Sequence, residues 1–141
     1  MKQAWIRAVR QTEEAFWTIV FSARKRVGSK GRLLPERFNS VAKIRRFLLR
    51  SMSPCLAGRV LRNLQLRRIG GRLAIPLGDG IGPAPLKQVK VLFQSADRAT
   101  IVVWFAFDRD DRFFRIYRMK KRGKRWVVYG RQPLDFPFSR Y

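Results

Sequence analysis

The sequence predicts an α+β domain in which about three N-terminal helices pack in a curved antiparallel β-meander, like a filled cone. Three observations carry that expectation. Apolar residues recur at helical spacing through the first half of the chain. A stretch rich in Gly and Pro, residues 70–86, then breaks the pattern. Beyond it, apolar positions alternate or run on in segments of strand length, separated by charged turns.

A long first helix is expected over residues 1–28. Trp5, Val9, Phe16, Val20, Ala23 and Val27 recur at spacings of three, four and seven residues and make one stripe, while Lys2, Arg7, Arg10, Glu14 and Arg24 lie off it. Gly28 stops this helix and Lys30-Gly31-Arg32 forms a short basic link. A second helix opens near Pro35, which suits a first turn, with Glu36 beside the positive helix end. Phe38, Val41, Ile44, Leu48 and Met52 trace its apolar face, with Lys43, Arg45, Arg46 and Arg50 elsewhere around the cylinder. Ser53 and Pro54 form an N-cap and first residue for a third helix, whose core edge is Leu56, Val60, Leu61 and Leu64. Gly70-Gly71 terminates the segment beyond that helix.

Leu73-Ala74-Ile75 reads as a short strand. The run Gly78-Asp79-Gly80-Ile81-Gly82 invites comparison with phosphate-cradling loops, but Pro83 and Pro85 come where a helix has to begin, so a plain loop is expected. In the meander, Val89, Val91 and Phe93 alternate with Lys90 and Gln94, as in a half-buried strand. Residues 99–107 (ATIVVWFAF) are apolar on both faces, which marks a central, doubly covered strand. Residues 108–111 form a turn. The next strand, 112–119, alternates again, with Phe114 and Ile116 flanked by Arg112 and Arg118. Residues 120–124 (KKRGK) make a hairpin tip, with Gly123 free to take positive φ, before a last strand at 126–129. One domain, 1–131, thus precedes a Pro- and aromatic-rich extension, 132–141.

Charge decides the class of partner. The chain carries 32 Lys and Arg against 9 Asp and Glu, a net +23, yet is 46% hydrophobic and 13% aromatic. Charge-driven disorder needs low hydrophobicity as well as high charge, so this chain folds and folds basic. There is no His, and the single Cys55, which no His can activate, is expected to be a buried structural thiol. Nothing reaches the ~18 apolar residues of a membrane span, and residues 15–23 are too short and come directly after Glu13 and Glu14. A cytoplasmic location is expected; the basic, acid-free residues 1–12 leave an organelle matrix as one alternative, and the scaffold reading below leaves a peripheral membrane as another.

The element order resembles the nuclear transport factor two-like superfamily over about residues 33–131, with residues 1–28 as its long first helix. Residues 47–64 (FLLRSMSPCLAGRVLRNL) are similar to that family's second and third helices, and residues 89–107 to its central strand pair. Residues 117–129 (YRMKKRGKRWVVY), where a Trp follows a basic turn, are similar to its closing hairpin. The resemblance implies a cone, and a superfamily that hosts isomerases and dehydratases as well as scaffolds, secretion-system components and ribosome-associated proteins. Its enzymes use Asp, His or Tyr inside the cone. Here Asp108, with a tyrosine such as Tyr117, is the one candidate, and a turn-forming Asp is the simpler reading.

Four basic clusters fall at element ends: Arg24, Lys25, Arg26, Lys30 and Arg32; Arg45, Arg46 and Arg50; Arg67, Arg68 and Arg72; and Lys120, Lys121, Arg122, Lys124 and Arg125. Cations so placed can reach phosphates, whose contacts set affinity without reading sequence. The expected function is a non-catalytic domain docking on RNA or a ribonucleoprotein, DNA being less favoured, with no cofactor and no metal. The run 112–118 interleaves aromatics with Arg but lacks the Gly of an RNP1 motif. Aromatics in a meander more often make core or cross-strand pairs, so recognition of backbone and shape is expected. A scaffold subunit of a membrane-associated complex is the first alternative, with Trp5 and Trp17 at an anionic lipid surface. A pocket enzyme built on Asp108 is the second.

Overall fold

The computed structural model describes residues 2–78 and 82–133. Three helices are followed by two antiparallel sheets, the α+β class expected. Helix α1 (Lys2–Ser22) buries Trp5, Val9, Phe16, Trp17, Ile19 and Val20 along one face. Its one buried hydroxyl, on Thr12, donates to the Ala8 carbonyl at 3.0 Å, so it adds no unsatisfied group to the core. The helix ends at Ser22, six residues short of the expected Gly28. Residues that looked like its last turns instead form a hairpin of β1 (Lys25–Val27) and β2 (Gly31–Leu33), turning through Gly28 at φ +53°. A basic run suits a helix C-terminus, but here it gains strand partners.

After β2, Pro35 is extended and leads into a 3-10 turn, Glu36–Phe38. The second helix, α2 (Val41–Leu48), starts only at Ser40, whose side chain accepts from the Lys43 amide at 3.1 Å. Ile44 and Leu48 are buried, whereas Val41, expected on the apolar face, is exposed. Helix α3 (Pro54–Asn63) opens as expected: Ser53 accepts from the Leu56 amide at 3.2 Å, and Pro54 takes the first turn. Cys55 is exposed rather than buried. It occupies the turn where Leu56 and Ala57 take the buried positions.

The first sheet joins the early hairpin to β3 (Arg67–Ile69) and β4 (Arg72–Ile75) in the order β1-β2-β4-β3. The second is the expected meander: β5 (Leu86–Gln94), β6 (Arg98–Ala106), β7 (Arg112–Arg122) and β8 (Arg125–Gln132), in sequence order. Its inner face contributes Ile101, Val103, Phe105, Tyr117, Met119 and Val128 to the common core with α1. Trp126 meets Trp5 edge-on at 5.7 Å. The chain between α2 and α3 lies along β8, with the Ser53 amide donating to Val128 and the Val128 amide to Ser51. That seam fixes the end of α2 beside the last hairpin. The extension expected at 132–141 begins at the end of β8, and its residues 134–141 lie outside the described residues, as do residues 79–81 of the Gly-rich loop.

Candidate nucleic-acid interface

The first sheet brings together two clusters that are some forty residues apart in sequence. β2 pairs with β4, setting Arg32 opposite Ile75 and Leu33 opposite Ala74. Lys25 in turn faces Leu33, and Arg67 faces Ala74. Residues directly opposite share a face, and so do alternate residues along a strand, so Lys25, Arg67 and Arg72 project from one side. By the same register Arg26, Arg32 and Arg68 occupy the other. Arg24 and Lys30 stand at the ends of this sheet, which contains no Asp or Glu. Arg67 reaches across to the Lys30 carbonyl at 3.4 Å. Arg26 and Arg68 brace the turn carbonyls of Gly28 and Gly71 at 2.8 and 3.2 Å.

Gly31 makes the strand pairing possible. Its φ is +149°, and a Cβ there would lie 2.5 Å from the Ile75 carbonyl oxygen. Only a residue without a side chain lets β2 approach β4 so closely.

The other two clusters also meet. Arg125, at the β7–β8 tip, donates to the Arg50 carbonyl at 3.0 Å, joining Lys120, Lys121, Arg122 and Lys124 to the end of α2. Arg45 and Arg46 lie in the last turn of that helix. Cations at a helix C-terminus are favoured by its dipole, which helps to hold this patch together. Of the sixteen residues singled out from sequence, Arg32 and Lys120 are half-buried and the other fourteen are exposed. Among the described residues, none of the sixteen has a carboxylate within salt-bridge distance.

Among the described residues, the carboxylate that does pair is half-buried, against a buried arginine. Glu13 of α1 accepts Arg131 Nε at 2.7 Å and Arg131 Nη2 at 3.2 Å, a bidentate clamp, and also accepts the Tyr117 hydroxyl. Burial, reinforced by the Glu13 charge, pushes the Tyr117 phenol well above its ordinary range, so it remains a donor. Burial alone would lower the Arg131 guanidinium, but the charge of Glu13 and the contacts with Glu13 and Tyr117 together outweigh it, and the net shift is upward. Sequence reading missed this triad. Tyr117 and Arg131 are directly opposite in the β7–β8 register, but the pairing partner on α1 is more than a hundred residues away.

Arg115, within the run that interleaves aromatics with Arg, is buried on the inner face and donates to the Pro133 carbonyl at 2.9 Å. The cavity beside these groups holds ≈ 20 Å³, about the space of one water. Asp108 is not in it. Its carboxylate accepts the amides of Asp110 and Asp111 at 2.8 and 2.9 Å, as a turn former does. Asp108 and Tyr117 are therefore engaged in separate arrangements. Trp5 and Trp17, expected at a lipid surface in the scaffold alternative, are buried in the core and have no face to offer one.

The chain matches no family model and no curated protein. No helix among the described residues is long and apolar enough to cross a membrane.

Proposed function

We propose that this protein is a non-catalytic basic domain that docks on RNA or a ribonucleoprotein by contacting phosphates. The observation that carries the reading is that sixteen cations cluster at the first sheet, on both of its faces, and where α2 meets the β7–β8 tip, fourteen of them exposed and none with a carboxylate partner among the described residues. Ordinary surfaces intersperse both signs, whereas like charges held together on a rigid scaffold repel one another and are stabilised by a polyanion. Most of these cations are Arg, whose planar fork suits phosphate oxygens. They stand on strands, turns and a helix end braced to one core, so little ordering entropy is lost when a polyanion arrives.

The test is what the protein carries when purified. Nuclease-sensitive material visible in its ultraviolet spectrum at low salt, and removed by a high-salt wash, is the expected result. A protein spectrally clean at low salt that also fails to retard RNA in a gel would overturn the reading.

A further inference from the structure

The outer face of the meander is a further surface, adjoining the basic cluster at the β7–β8 tip through Lys120. At its outward positions Gln88, Lys90, Phe93, Phe114 and Arg118 are exposed, whereas Val102, Ala106 and Val127 are shielded by their neighbours and Trp104 is half-buried. Phe93 and Phe114 are 55% and 54% exposed, among the most exposed large apolar side chains of the described residues. The β5–β6–β7 register sets Gln88 opposite Trp104 and Trp104 opposite Phe114, so two aromatic residues occupy one row on adjacent strands. Cross-strand neighbours of this kind lie about 5 Å apart at Cβ. The next rows place Lys90 beside Val102 and Ile116, then Phe93 beside Thr100 and Arg118. A bulge between Val91 and Phe93 is what turns Phe93 outward.

Trp104 also lines a groove of ≈ 470 Å³ together with Lys87, Gln88, Asp108, Arg109 and Arg112. That volume is within the range of small-ligand sites, large enough for a nucleotide. Its lining combines the half-buried Trp104 with three cations against one carboxylate, itself occupied by turn amides. None of the four strands contains an Asp or Glu.

We infer that this face binds unpaired bases of single-stranded RNA, with a base stacked on Trp104 in the groove and its neighbour on Phe114. The inference rests on the polyanion reading and adds to it a preference for single strands. Stacking is tolerant of base identity, and the surrounding cations track the backbone. Charge selects this occupant over a second copy of the chain. In an isologous pairing the same cations would meet themselves, with no acid on these strands to answer them.

The experiment compares an oligouridylate of about 12 nucleotides with an RNA duplex of equal length, using wild type, Trp104→Ala/Phe114→Ala and Trp104→Phe. The other three tryptophans are buried, so quenching of fluorescence by the oligouridylate reports on Trp104. Three results are expected: wild-type quenching, a loss of roughly tenfold or more in single-strand affinity in the double Ala variant, and unchanged duplex affinity and salt dependence. Trp104→Phe keeps most of the affinity and loses the quenching, which separates stacking from misfolding. Equal single-strand affinity in wild type and the double variant overturns the stacking site while leaving phosphate docking intact. No binding of either RNA by wild type removes both. A wild-type dimer that the double variant converts to monomer, with RNA affinity unchanged, assigns the face to a second copy and overturns the inference.

Discussion

Replacing Lys25, Arg67 and Arg72 together by Gln removes three cations from one side of the first sheet while leaving its hydrogen-bonded ladder alone. The register puts all three on a common face, and each is exposed. For a single strand, the salt slope of the binding constant changes by about 0.7 per phosphate contact, so losing three contacts makes it shallower by about 2. At about 0.1 M salt the same relation gives roughly fivefold per contact and roughly 100-fold for the triple variant. Surface changes of this kind seldom move stability far, so the Tm stays within about 5 °C of wild type. The assay is fluorescence anisotropy with labelled RNA across a salt series, alongside thermal melts. A folded triple variant with wild-type affinity and slope would refute the assignment of phosphate contacts to this face.

Glu13→Gln takes from Arg131 its bidentate carboxylate within the core and is expected to cost about 3 kcal/mol, seen as a fall in Tm of roughly 10 °C; an unchanged melt would mean the clamp is not structural. Gly31→Ala drives a Cβ into the Ile75 carbonyl oxygen, and a loss of at least about 2 kcal/mol in urea unfolding is expected. Wild-type stability in that variant would contradict the close β2–β4 approach. Cys55 reacts stoichiometrically with a thiol reagent in the native protein, because it is exposed on the first turn of α3; a thiol that reacts only in denaturant would restore the buried reading.

Much of the fold was legible because its signals are local. The Ser53-Pro54 start of α3, the apolar stripe of α1 up to Ala23 and the doubly apolar strand β6 each declare themselves within a few residues. The features that escaped depend on distant pairing. Residues 25–27 continue the helical spacing through Val27, and only pairing with residues 31–33, backed by β4, makes them a strand. Nothing near Arg131 or Tyr117 signals Glu13. The four basic clusters were visible as runs of charge, but their meeting at the first sheet and at the end of α2 comes from the β2–β4 pairing and the Arg125–Arg50 contact. The outer aromatic face was half visible. Residues 112, 114, 116 and 118 share a parity, yet only the burial of Tyr117 and Met119, with Phe113 partly buried against the same core, shows which side Phe114 takes.

The central claim is that these cations are arranged to contact phosphates, and the salt dependence of RNA binding tests it most directly. With six to ten phosphates engaged, affinity falls roughly 10³- to 10⁵-fold between about 50 and 200 mM salt. Undetectable binding of both single-stranded and duplex RNA at about 50 mM salt, where such contacts are strongest, would contradict the account.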